Sequence, residues 1–343
     1  MRIVEPLLVV MNVVRPAVTV VMPTHNRAHL LTSTLHSVLR QRNVDLRVVI
    51  VDDGSSDETP AVVRAIGDER VRWYRHEQPF GVSAARNRGL AMVDTAWVAF
   101  TDDDDLWSPF KVARQLEALR SAPEARWSYV GAVVVDSSLQ ILRHEKPPAA
   151  ADLPARLLRN NCIPAGGSGV LASTTLVRDV GGFDTQLSNL AFWDLWIRRA
   201  WAAPSAAVLH PLVAYRVHTG GMAHGVSRTE TELALIASKY ADHRAQRGIS
   251  VDWGVWYRYL ARLQLRMGDQ EGAAEYYFRA ARAGQWTRYG VGMLCLAVPG
   301  LTGLADRRGR LRVPRTWAAE ADNWLDELRH TTPPSQTVAA AAQ

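Results

Sequence analysis

The chain has 343 residues, long enough to bury a large core in one domain with an appendage or in two domains. Apolar residues make up 48% and charged residues 22%, which excludes a disordered or collagen-like chain. The net charge of +6, from 40 Lys and Arg against 34 Asp and Glu, suits an anionic ligand or membrane surface but is too mild to imply nucleic acid.

Only Cys162 and Cys295 occur, without zinc spacing, so a reducing cytoplasm is the expected setting, with neither a disulfide framework nor a structural zinc site. The N-terminal PLLVVMNVV is short, preceded by Glu5 and interrupted by Asn12, which argues against a signal peptide. No run reaches the roughly 18 apolar residues that a spanning helix needs.

In chain order, AVTVVM (17–22) predicts a strand closed by Pro23, followed by a helix through HLLTSTLHSVLRQ. RVVIV (47–51) predicts a second strand ending in DDGSSDETP, where Thr59-Pro60 opens a helix. VRWYR, a turn at 79–81, the helical SAARNRGLAMV and the run WVAF follow. Strands alternating with helices predict a parallel, doubly wound sheet. Ligands of such sheets bind at the carboxyl ends of the strands, and those ends carry PTHNR, DDGSSD and TDDDD.

WSYVGAVVVD predicts a strand with LQILRHE as its hairpin partner, KPPAAADLPA a surface connection, and FWDLWIRRAWA a helix. AVLHPLVAYRVH predicts a strand pair. Residues 253–284 predict an α-hairpin turning at Gly268-Asp269, with Gly268, Ala274 and Ala281 at the small positions of a tetratricopeptide repeat. Near the C-terminus the apolar VGMLCLAVPGLTGL precedes RRGRLRVPR. That pairing reads either as an interfacial segment on anionic lipid or, since Pro299 interrupts it, as a core helix followed by a solvated basic loop. The expected division is a catalytic domain over 1–225, a helical region over 226–330 and a disordered tail over 331–343.

Thr101-Asp102-Asp103-Asp104-Asp105 sets four carboxylates side by side after a buried strand. Adjacent like charges become favourable beside a divalent cation, and oxygen ligands suit Mg²⁺ or Mn²⁺. An EF-hand calcium loop is excluded by Trp107 and Ala113, where it needs Gly and Glu. There is no P-loop, and Gly167-Ser168-Gly169 matches a dinucleotide fingerprint only superficially, since no strand directly precedes it.

Taken together, VTVVMPTHNR, VDDGSSDETP, GVSAARNRG, FTDDDDLWSP, VGGFD, WDLWIRRA and YRVH stand in the order and spacing of the family 2 glycosyltransferases, which the chain resembles over about 17–220. The resemblance implies an α/β fold of the GT-A type: a doubly wound mixed sheet with a Rossmann-like nucleotide-binding half and a C-terminal α-helical tail. It implies an inverting, metal-dependent, hexosyltransferase-like enzyme of cell-wall or polysaccharide synthesis, cytoplasmic or peripheral at the inner face of the membrane. The implied donor is a UDP-, GDP- or dTDP-linked sugar, and the acceptor a glycan or glycolipid.

By the same resemblance, Pro23, Thr24, Asn26, Arg27 and Asp53 hold the base and ribose, with Asp52 a cap. Arg86 faces the diphosphate. In the Asp-x-Asp motif, Asp102 lies toward the ribose with Asp103 beside it, and Asp104 binds Mn²⁺ or Mg²⁺. His218 is a second candidate ligand for the metal, and Arg216 a candidate for phosphate. The plainer reading leaves Asp103 and Asp105 to shape the loop. The family places its catalytic base in an acidic pair before the WDLW helix, where this chain has Ala191-Phe192. Asp194, the nearest carboxylate, is the expected base, with Asp184 behind it. The alternative is a non-catalytic nucleotide-sugar-binding or scaffold protein of the same fold.

Overall fold

A computed structural model describes residues 17–218, 225–297 and 313–331. Its first half is parallel, for the reason the sequence suggests: apolar runs on both faces require helices on both sides. Strands β1 (Val18–Thr24), β2 (Leu46–Asp52), β3 (Val71–Arg75) and β4 (Trp97–Phe100) alternate with helices α1 (Ala28–Leu39), α2 (Thr59–Ala65) and α3 (Val82–Ala91). Alternation along β1 sends Val18, Val20 and Met22 into one core with Leu31 and Leu35, and Val21 into the other with Leu90 and Phe100.

After β5 (Leu106–Trp107) and α4 (Lys111–Ser121) the pairing becomes largely antiparallel, through β6 (Trp127–Val135), β7 (Ile141–Glu145), β8 (Val170–Ser173) and β9 (Ser205–Arg216). The strand order is β3-β2-β1-β4-β8-β6-β9-β5, with β7 beside β6, and β9 runs parallel to β6. This is the mixed α/β sheet that the resemblance implies.

Two local expectations are corrected. The segment 205–216 is one continuous strand rather than a pair; it bulges at His210-Pro211, with extra residues of β9 set opposite Gly131 of β6. The connection after β7 is not all surface, because α5 (Leu153–Leu157) buries Leu153 and Leu157.

Helices α6 (Thr174–Asp179) and α7 (Ala191–Ala202) follow β8, and α7 brings Trp193 and Trp196 into the core. Beyond the sheet lie α8 (Val226–Lys239), α9 (Ala241–Ala245), α10 (Trp253–Arg266), α11 (Gln270–Arg282) and α12 (Arg288–Ala297). Gly268, at φ +81°, turns α10 into α11, and Asp269 caps α11 by accepting from Gly272 N at 2.8 Å. Trp256 of α10 packs against Trp193 with the ring centroids 4.6 Å apart, which fastens the helical hairpin to α7. α13 (Arg315–Thr331) returns to the sheet, seating Ala321, Trp324, Leu325 and Leu328 on Leu106, Val133 and Ala214.

Helix α12 corrects the core-helix reading of 291–304: Met293, Leu294 and Leu296 are exposed. The N-terminal PLLVVMNVV, the basic run 307–312 and all but Thr331 of the expected tail lie outside the described residues.

Candidate active site

The order β3-β2-β1-β4 opens a crevice at the carboxyl ends of the sheet, and the chains leaving β1 and β4 meet there. Thr24 Oγ1, at the end of β1, donates to Asp103 Oδ2 at 2.7 Å. Thr34 Oγ1 of α1 donates to the Asp103 carbonyl at 2.9 Å, and Asp102 N donates to Ser168 Oγ at 3.1 Å. These bonds fix the loop so that Asp103 and Asp105 are buried while Asp102 and Asp104 keep some exposure.

The loop after β1 is held just as firmly. Asn26 sits at φ +53°, a left-handed conformation that asparagine tolerates. Its N–H donates to Ser55 Oγ at 2.9 Å, and its Oδ1 accepts from Ser56 N at 2.7 Å, tying PTHNR to DDGSSD. Arg27 is thereby aimed at the aspartates: its guanidinium donates to Asp104 Oδ2 at 3.1 Å.

His218, just beyond β9, approaches the same Asp104 oxygen, with Nε2 at 3.0 Å. Burial pushes the Asp103 carboxyl up, to about 7, and the neighbouring charge of Asp104 adds to the effect. Burial acts on Asp104 in the same sense, but the hydrogen bond from His218 and the charge of Arg27 outweigh it and hold that carboxyl below its ordinary value. Burial, then Asp104, raises Asp105 well above the usual range; its Oδ1 accepts from Arg216 N at 3.2 Å, which makes it an anchor for the end of β9.

Arg86, on α3, lies buried with its guanidinium donating to Asp102 Oδ1 at 2.7 Å. Asp53 sets the start of α3, its carboxylate accepting from Phe80 N at 2.9 Å, Gly81 N at 2.8 Å and His76 Nδ1 at 2.7 Å. Asp52 accepts from Ser55 N at 2.8 Å, as a cap does. Pro23 is buried within β1. Arg216 donates to Ser33 Oγ at 3.0 Å, beside the aspartate loop.

The structure does not bring Asp194 to this cluster's hydrogen-bond network. Its side chain is fully buried; Oδ2 accepts from Arg198 Nη2 at 2.6 Å, and Oδ1 from Tyr240 at 2.7 Å and Lys239 at 2.8 Å. A carboxylate so paired fastens α7 to α8 and has neither the solvent access nor the open oxygen of a general base. The expectation that Asp194 is the base does not fit this geometry. Asp184, at the other end of the same Lys239, is held below its usual range first by the hydrogen bond from that lysine.

Residues 19–159, whose strands and loops form most of this crevice, match the family model described as glycosyl transferase family 2. The chain carries a family 2 glycosyltransferase domain. It is 25% identical over 238 residues to an uncharacterized glycosyltransferase of Rickettsia felis, a match covering 67% of this chain and 39% of that protein. Succinoglycan biosynthesis protein ExoO of Rhizobium meliloti is 38% identical over 107 residues, 31% of each chain. The glucosyltransferase WfgD of Escherichia coli, named for transfer from UDP-Glc to alpha-D-GlcNAc-diphosphoundecaprenol, is 31% identical over 102 residues, 30% of this chain and 40% of that one. The matches thus span about a third to two-fifths of these relatives' lengths. Among solved structures, S. aureus TarS 1-349 in complex with UDP aligns at a TM-score of 0.49 and 15% identity, covering 77% of this chain and 72% of that one.

In this glycosyltransferase domain, motif reading alone misses three features. Phe192 covers the Arg86 guanidinium at 4.0 Å from the ring centroid, and Phe183, edge-on to Phe192, lies at 5.4 Å, so an aromatic corner flanks Arg86, with Phe192 where the family's acidic pair belongs. Gly167 makes room for it, since a Cβ there would lie 1.8 Å from the Phe192 ring. Ser168 holds the Asp102 backbone and His76 holds Asp53, both joined to the site by contacts across tens of residues. The Gly-Ser-Gly run and the neighbouring histidine were visible, but not their partners.

Among the described residues no group of three or more His, Cys, Asp and Glu side chains is set to hold a metal ion. Asp104 and His218 nevertheless face one another within hydrogen-bond distance, with Arg27 beside both. One carboxylate and one imidazole fit an ion that completes its shell with water and phosphate oxygens, and the mixed oxygen and nitrogen set suits Mn²⁺ better than Mg²⁺.

Proposed function

We propose that the protein transfers a hexose, with inversion, from a nucleoside diphosphate sugar to a glycan or lipid-linked acceptor. The observation that carries the reading is the convergence of Arg27, Arg86, Asp104 and His218 around one crevice at the ends of β1, β4 and β9. The relatives support it: WfgD's name gives a UDP-linked donor and a lipid diphosphate acceptor. A lipid-linked acceptor would bring the protein to a membrane surface. None of its described helices is long and apolar enough to cross one.

In this reading Asp104 and His218 hold Mn²⁺ or Mg²⁺, which supplies positive charge against the departing nucleoside diphosphate. Arg27 and Arg86 add fixed guanidinium charge for the same phosphates, Arg86 in a setting from which water is largely excluded. Asn26 and the serines it binds shape the wall for base and ribose, as Thr24 and Asp103 shape its floor. Asp53 contributes by fixing the turn ahead of α3, and Asp102 by orienting Arg86.

A second reading, a nucleotide-sugar-binding protein without turnover, draws support from Phe192 at the position of the family's acidic pair. Incubation with UDP-glucose, GDP-mannose and dTDP-glucose, with and without a polyprenyl diphosphate-linked sugar, separates the two. Transfer that is lost in Asp104→Asn supports the enzyme. Metal-dependent donor binding without transfer or donor hydrolysis supports the second reading, and the absence of donor binding contradicts both.

A further inference from the structure

One nitrogen of Arg27 touches both of the groups that the proposed function gives to a metal ion. Its Nη1 lies 3.1 Å from Asp104 Oδ2 and 3.3 Å from His218 Nε2, with Asp103 Oδ1 at 3.9 Å. A divalent ion on the same Asp104 oxygen would set two positive charges side by side, and they would repel. Arg27 and the metal therefore compete for Asp104.

The backbone beneath this contact is fixed. The Arg27 carbonyl accepts from Leu30 N at 3.0 Å and from Leu31 N at 3.1 Å as α1 begins, and Asn26 before it is tied to Ser55 and Ser56. The Arg27 side chain is 22% exposed, so its guanidinium can turn away from Asp104 without the loop moving.

We propose that Arg27 is an exchangeable counter-ion, which holds Asp104 and His218 while no donor is bound and moves to the donor diphosphate as metal and nucleotide bind. The inference rests on the proposed function for the identity of the two ligands and adds an order to their binding. Metal alone would take the Asp104 oxygen from Arg27 and bring no new anion in exchange. A nucleoside diphosphate brings one, in the form that a guanidinium fork fits. Both ligands thus favour the state in which the contact between Arg27 and Asp104 is open, so each strengthens the binding of the other. The site would load its metal with the donor rather than ahead of it.

The test is Mn²⁺ titration of the full chain, read by the electron paramagnetic resonance signal of the free ion, with and without UDP. Arg27→Gln removes the charge at a partly exposed position and is expected to bind Mn²⁺ alone about tenfold more tightly than the wild type. The factor by which UDP strengthens Mn²⁺ binding should fall about tenfold in the same variant. Adding Asp104→Asn should abolish the gain. A direct contact is screened by salt far less than a distant charge, so the gain should persist at high ionic strength. Folded Arg27→Gln protein that binds Mn²⁺ alone no more tightly than the wild type would overturn the proposal. So would a gain that vanishes in salt or survives Asp104→Asn. Absence of UDP binding in both proteins would instead count against the proposed function, with the Mn²⁺ gain still supporting the counter-ion role.

Discussion

His218 Nε2 lies 3.0 Å from Asp104 Oδ2 across 114 residues of sequence, so the last strand of the domain closes the site that the fourth one opens. Neither residue needs the other for the fold, since Asp105, not Asp104, holds the end of β9. His218→Ala is therefore expected to leave thermal stability nearly unchanged. The same variant should weaken Mn²⁺-dependent nucleotide binding about ten- to a hundredfold, as loss of groups around a metal site does. Calorimetry with and without Mn²⁺ reads both effects; a loss of equal size without metal would contradict the ligand role.

Arg86→Lys keeps the positive charge but loses the planar fork that Phe192 covers and Asp102 accepts from. Donor diphosphate binding should fall by about 1.5 to 3 kcal/mol, roughly ten- to a hundredfold. Comparing UDP with uridine isolates the diphosphate contribution: uridine binding is expected to be unaffected by the substitution.

Asp194→Asn tests a structural role. Asparagine keeps one acceptor oxygen but presents an amide donor in place of the other, so either Arg198 or the Lys239 and Tyr240 pair loses its acceptor and the cations lose their buried counter-charge. The expected cost is about 3 kcal/mol of unfolding free energy, read by denaturant titration, with UDP binding retained at temperatures below the transition. A stable Asp194→Asn protein that binds donor yet has lost transfer would return Asp194 to the chemistry.

Gly131→Ala should loosen the C-terminal helix. A Cβ there would meet the Trp317 ring at 2.3 Å and the His210 carbonyl at 2.9 Å, so α13 would have to lift from β6 and β9. We expect a loss of about 1 to 3 kcal/mol, with limited proteolysis cutting first beside α13.

The parallel half of the sheet was legible because β1, β2 and β4 are short apolar runs ended by polar turns, a pattern that neither a surface strand nor a long helix shares. The site was legible to the extent that strand-end logic gathers Thr24, Asp52 and Asp102 at one edge. The length of β9 was not, because Pro211 reads as a break, whereas the sheet absorbs it in a register shift. Nor were the contacts of His218, Ser168 and Phe192, which depend on how antiparallel strands return to the crevice. Asp194 misled for a related reason: a place in the WDLW helix says nothing about which side of that helix its carboxylate faces.

The most direct test of the account is calorimetric titration of UDP into the full chain, with and without Mn²⁺, repeated on Asp104→Asn. The account predicts binding that strengthens with Mn²⁺ and loses that increment in the variant. Binding indifferent both to Mn²⁺ and to the substitution would contradict it, leaving the aspartate loop as a partner for Arg27 and Arg86 alone.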